Sequence, residues 1–212
     1  MNKQTDDLIK ILSQSLSIRK PLSFGWALVG LTLASLGITY SILGKLRPEF
    51  STLDFPAFFY FKTAILFGFA SLGFLFLKES AKPLPKFPKR SIALLPIVVL
   101  SLFIVLEWGS ASSPDVILSN FLLRNFPACL FFVTTYGLVG IIALTTLMKR
   151  YAPADENKAA GWIGFAASAA CAVGYSFHCP IDSPTFIAVA YGLPVVTLGF
   201  TARFILPKFI RW

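Results

Sequence analysis

Six apolar runs, each near the ~20 residues that cross a hydrocarbon core, constrain this chain to a bundle of membrane helices. They fall at about 24–44, 57–77, 91–108, 126–148, 159–177 and 185–206. The linkers between them are short, so no soluble domain is inserted. The expected fold is all-α: a polytopic six-transmembrane-helix bundle (residues 24–212) behind a short N-terminal segment (residues 1–23). Composition agrees, because charged residues are only 14% of the chain and mean hydropathy is +0.72, too little polar surface to cover a water-exposed globule. A polar N-terminal stretch ahead of a full-length apolar span reads as a signal anchor, not a cleavable signal peptide.

Lysine and arginine placement orients the bundle. The N-terminal segment carries Lys3, Lys10, Arg19 and Lys20, and the linker after the second span carries Lys78, Lys82, Lys86, Lys89 and Arg90. Lys149, Arg150 and Lys158 follow the fourth span, and Arg203, Lys208 and Arg211 lie at the C-terminal end. Only Lys45, Arg47, Arg124 and the intraspan Lys62 fall elsewhere. The excess of basic residues on cytoplasmic loops places both termini in the cytoplasm, in keeping with an even number of spans. The net charge of +9 then reports cytoplasmic loops and anionic lipid headgroups. No run combines dense Lys/Arg with stacking aromatics, so direct nucleic-acid binding is not expected.

The N-terminal segment has its own pattern. Thr5 followed by Asp6 and Asp7 is a helix-start signal, a capping hydroxyl with acids on the positive end of the dipole. Leu8, Ile9, Leu12 and Leu16 follow at helical spacing as an apolar stripe, which Arg19-Lys20-Pro21 ends. The segment fits a helix lying on headgroups or a docking peptide for a cytosolic protein.

Within the spans ionisable groups are scarce. Lys62 and Glu107 lie toward outer helix ends and are expected to snorkel to the interface. A transporter or channel would show several buried acids or bases along a pathway, and none is visible. The fifth span, mostly Ala, Gly and Ser, reads as the central helix on which neighbours pack closely.

The groups able to do chemistry gather at Tyr175-Ser-Phe-His-Cys-Pro-Ile-Asp-Ser-Pro184, which holds the only histidine, His178, beside Cys179. The topology puts Cys129 and Cys179 at similar depth near the outer face, with Cys171 about two turns deeper. Cys129 and Cys179 are therefore candidates for a disulfide or a thiol pair that senses oxidants. His178 is placed to lower the Cys179 thiol pKa, or to join Cys129 and Cys179 around a soft metal ion. Small apolar packing is the competing role for all three cysteines and the favoured one for Cys171. A single histidine excludes a bis-histidine haem. No second general base, Gly-rich phosphate loop or other catalytic set appears, so no enzyme and no resident cofactor are expected beyond a regulatory metal ion.

On these residues the chain resembles the six-span membrane anti-sigma factors of the NrsF type, negative regulators of extracytoplasmic-function sigma factors. Thr5-Asp6-Asp7-Leu8-Ile9 looks like the family's opening motif. The last third is closer still: Ala159-Ala160-Gly161, Tyr175, His178-Cys179, Asp182-Ser183, Phe186, Tyr191-Gly192 and Ile210-Arg211-Trp212. Ala190 departs from it, standing where the family often has Trp before the Tyr, and Cys171 lies outside the pattern. The resemblance implies a multi-pass protein of the bacterial inner membrane whose partners are a sigma factor and membrane lipids. Asp6, Asp7, Leu8, Ile9 and Leu12 would mask the sigma factor, while Cys129 and Cys179, assisted by His178, would perceive oxidants or thiol-binding metals. The competing readings are a membrane thiol-disulfide oxidoreductase, which the lack of a Cys-x-x-Cys pair disfavours, and a small transporter.

Overall fold

The computed structural model describes residues 24–44, 46–52, 54–82, 90–110, 126–149, 151, 153 and 155–209. Its helices are α1 (Phe24–Leu43), α2 (Glu49–Thr52), α3 (Ala57–Ser80), α4 (Arg90–Ser110), α5 (Phe126–Met148) and α6 (Glu156–Ser176). The chain ends in α7 (Pro184–Ile187), a π-helical turn (Ala188–Gly192) and α8 (Leu193–Phe209). No strand occurs among the described residues. Expected residues Asp6, Asp7, Leu8, Ile9 and Leu12 lie outside the described residues, as does the whole segment 1–23.

Among the described residues five units are long and apolar enough to cross a membrane: α1, α3, α5, α6 and Pro184–Phe209 taken together. This is the architecture of a multi-pass membrane protein. Backbone groups in hydrocarbon have no water to bond, and helices close those bonds within the segment. The expected third span corresponds to α4, helical over 21 residues, of which Ile97–Ser110 is the described apolar part. The expected sixth span is not one uniform helix. Its α-helical ladder is broken by the π turn, which carries the buried Ala190, Tyr191 and Gly192 inward.

α6 is the axis of the bundle, as its small-residue composition predicted. Fifteen of its residues are buried, and α1, α3, α5 and α8 all pack on it. Close approach needs the absence of side chains. A Cβ at Gly164 would lie 2.7 Å from the Leu198 carbonyl of α8, and one at Gly174 would lie 2.5 Å from the Thr32 carbonyl of α1. Asp155 caps α6 by accepting from the Lys158 backbone N–H at 2.9 Å, and its Oδ2 pairs with Lys158 Nζ at 2.8 Å. At the far end α6 stops at Ser176, and residues 177–183 form the loop that carries Cys179 and Asp182.

α1 is the least buried of those five units. Only Ala27, Leu28, Ser35 and Thr39 are buried, while Trp26, Leu33, Tyr40 and Ile42 face outward. Gly44 ends it with φ +67°, a left-handed conformation open to glycine, and its N–H bonds the Tyr40 carbonyl at 2.9 Å. That cap turns the chain back over the bundle and delivers Arg47 to the Cys179 loop.

Candidate functional site

The Cys179 end of the bundle assembles groups that are far apart in sequence. Cys179 comes from the loop after α6 and Cys129 from the first turn of α5. Both are buried, and the Cys129 thiol donates to the Cys179 sulfur at 3.4 Å. The Tyr175 hydroxyl reaches Cys129 Sγ at 3.5 Å. The two expected thiols are therefore brought together, as free cysteines. Cys171 is buried deeper in α6, against the glycine surface of α5 at Gly140, and takes no part.

A charged cluster holds the loop beside them. Lys62 of α3 is 0% exposed, which corrects the expectation that it snorkels. Its Nζ donates to the Cys179 carbonyl at 2.8 Å and the Ile181 carbonyl at 3.0 Å, and pairs with Asp182 Oδ1 at 2.5 Å. All three ammonium protons are thus used, and this is why a cation is tolerated inside the protein. Glu107 does not snorkel either. Its Oε2 accepts from the Thr185 N–H at 2.8 Å and from the Thr185 hydroxyl at 2.6 Å, tying the end of α4 to α7.

Arg47 completes the cluster. Its guanidinium forks onto Asp182, Nη1 to Oδ1 at 2.8 Å and Nη2 to Oδ2 at 2.9 Å, and Nη2 also reaches Glu49 Oε1 at 3.1 Å. Its backbone N–H donates to the Phe177 carbonyl at 3.2 Å, and its guanidinium lies 4.8 Å from the centre of the Phe59 ring. Burial opposes the Arg47 charge, but the hydrogen bonds to Asp182 and Glu49 outweigh it and raise its pKa. Arg47 in turn holds the Glu49 carboxyl below its ordinary 4.5. The Cys179 thiol is lowered by its hydrogen bond with Cys129, against a desolvation that raises it, and the Lys62 ammonium adds to the lowering.

A cavity of about 570 Å³ is lined by both cysteines, by Leu43 at the end of α1, by Leu46 and Pro48 after it, and by Phe132, Tyr175 and His178. His178 thus lies beside the pair, its ring 5.8 Å from that of Tyr175. Among the described residues no group of three His, Cys, Asp or Glu is arranged to hold a metal ion, so the expected set of Cys129, His178 and Cys179 is not assembled as one. Sequence reasoning gave Arg47 no role beyond the charge count, and it singled out Lys62 and Asp182 without joining them. The available signal was Lys62 itself, a cation inside an apolar run, which is costly unless something pairs with it.

The fold and site define an all-helical membrane protein with a buried thiol pair, braced by an ion-pair cluster, at one end of its bundle. The chain belongs to the NrsF family: the model described as "Negative regulator of sigma F" matches residues 16–212. It is accordingly a negative regulator of a sigma factor, a regulatory protein. The match begins after Thr5-Asp6-Asp7-Leu8-Ile9, so it does not extend to the docking residues expected there. No curated protein and no solved structure matches the chain.

Proposed function

We propose that this protein is an anti-sigma factor of the bacterial inner membrane that sequesters an extracytoplasmic-function sigma factor and releases it when its thiol pair is oxidised. Residues 1–23 form the cytoplasmic docking segment, with Asp6, Asp7, Leu8, Ile9 and Leu12 as its contact face. Residues 24–212 form a six-span domain with both termini inside, which puts Cys129 and Cys179 toward the oxidising side.

The observation that carries this reading is the meeting of two sulfurs fifty residues apart, at 3.4 Å. Disulfide formation needs them at about 2.05 Å, so oxidation draws the two sulfurs together by about 1.4 Å and pulls on the Cys179 loop. The pair loses two electrons and two protons as the S–S bond forms. A hydroperoxide accepts the electrons, its O–O bond breaking to give one alcohol and one water. A soft metal ion bridging the same two sulfurs is the alternative stimulus. Either event signals only insofar as it favours one packing of the bundle over another, and couplings of this size are typically ~1–3 kcal/mol.

The test is a sigma-dependent reporter in cells carrying the native chain or Cys179→Ser. Loss of induction by peroxide, with reversal by a phosphine reductant in the native chain, is the expected result. Normal induction in Cys179→Ser cells would remove the sensor role. Reversal by a chelator but not by the phosphine would assign the pair to metal.

A further inference from the structure

The thiol pair and the N-terminal segment lie at opposite ends of the chain's first helix, and the contacts of that helix are uneven. We propose that α1 is the moving element that carries the state of the thiol pair across the bundle, with Arg47 as the positioning residue that ties it to the Cys179 loop. The proposal rests on the thiol-sensing reading and adds its route.

Three observations converge on α1. First, the segment just after it is fastened to the loop that must move. Arg47 bonds Phe177 through its backbone and Asp182 through its guanidinium fork, so residues 177–182 cannot shift without pulling on it. Leu43, Leu46 and Pro48 wall the same cavity as Cys129 and Cys179, so the end of α1 and the segment after it share that space with the thiol pair. Second, the loop has one other strong anchor, Lys62 of α3, and α3 is poorly suited to move. It buries Phe59, Leu66, Phe69, Ala70, Phe74, Phe76 and Leu77, whereas α1 buries one leucine and three smaller residues. Elements with few buried contacts are those that shift at low free-energy cost. Third, α1 runs along the axis of the bundle, closest where Thr32 and Ser35 lie on Gly174 and the Thr32 hydroxyl donates to the Ala170 carbonyl at 3.2 Å. A helix moves as a stiff body, so a displacement at Gly44 is carried along α1 to Phe24, which residues 1–23 precede in the chain.

The experiment uses the full chain in lipid nanodiscs, reduced and peroxide-oxidised, as native protein, Arg47→Gln and Arg47→Lys. Thiol oxidation is read by alkylation and mass shift, and output by retention of the purified sigma factor. The native chain should retain the sigma factor roughly 5- to 150-fold better when reduced. Arg47→Gln should still form and re-reduce the Cys129–Cys179 disulfide to completion, at a rate of its own, while that ratio falls toward one, and Arg47→Lys should keep part of it. A mere structural defect would alter the extent of thiol oxidation and retention together. An Arg47→Gln chain that keeps the native ratio overturns the proposal; a native chain that oxidises without changing retention overturns it together with the thiol-sensing reading. Should Arg47→Gln fail to fold, hydrogen exchange on the native chain decides. Oxidation should raise exchange across residues 44–50 and the first turns of α1. A change confined to α3 or α5 contradicts the proposal.

Discussion

Replacing Gly174 by alanine should separate α1 from α6 and uncouple the two ends of the molecule. The added Cβ would stand 2.5 Å from the Thr32 carbonyl oxygen and 2.8 Å from the Leu36 nitrogen, with Ser35 Oγ nearer still. The carbonyl oxygen and the nitrogen are backbone, so no rotamer change relieves them. Ordinary contact begins near 3.4 Å, so α1 must retreat by about 0.9 Å. At 3.2 Å the Thr32-to-Ala170 hydrogen bond has little slack and is lost, at a net ~1 kcal/mol. Overpacking of this kind costs about 1–3 kcal/mol in all, against which alanine's better helix propensity returns at most ~1 kcal/mol. Gly37→Ala is the control. It lies on α1, the partner helix of that crossing, with nothing within 4 Å of a Cβ, so it gains propensity without a clash. Denaturant titration of both variants in the same micelles, with sigma retention measured alongside, makes the comparison. Gly174→Ala should be less stable than Gly37→Ala and should retain the sigma factor poorly even with reduced thiols. Equal stability of the two would refute the close crossing and the role given to α1.

Lys62→Met should destabilise the bundle by about 3 kcal/mol, because Asp182 loses one of two cations and two carbonyls lose their donor; Lys62→Met with Asp182→Asn should not restore it fully, since Arg47 would then lack its fork. A melt of each in micelles checks this. Asp155→Ala removes the α6 cap and should cost about 1 kcal/mol, read as a lower thermal midpoint. Acidification should weaken the Cys179 end. Glu49 has a folded pKa below its ordinary 4.5, so its contribution is present above that value and is lost as pH falls through the folded one. A melting-temperature profile should therefore bend down below pH 4.5, less so in Glu49→Gln. Leu8→Glu should release the sigma factor without altering thiol oxidation, and a reporter that stays silent would count against the docking face.

What could be read beforehand divides along physical lines. Span positions were legible because continuous apolarity over a membrane thickness is a local property. The centrality of α6 was legible too, since an Ala-Gly-Ser helix is useful only where other backbones approach it. Cys129 and Cys179 were legible only as candidates at similar depth, because expected topology fixes depth but not azimuth and so does not show that the sulfurs meet. The ion-pair cluster was not legible. Arg47 sits in an unremarkable linker, and Asp182 looked like a lone acid until Lys62 and Arg47 converged on it from α3 and from the turn after Gly44. Nor does hydropathy register the π turn at Ala188–Gly192, because the residues are apolar in either geometry.

The central claim joins a docking segment to a thiol switch, and one measurement addresses both halves. Full-length protein and a form lacking residues 1–20, each in nanodiscs, are titrated with the purified sigma factor under reducing and oxidising conditions. The account predicts tight retention by the reduced full-length chain alone, loosened by oxidation and restored by reductant. Retention that ignores the thiol state, or that survives removal of residues 1–20, would contradict it.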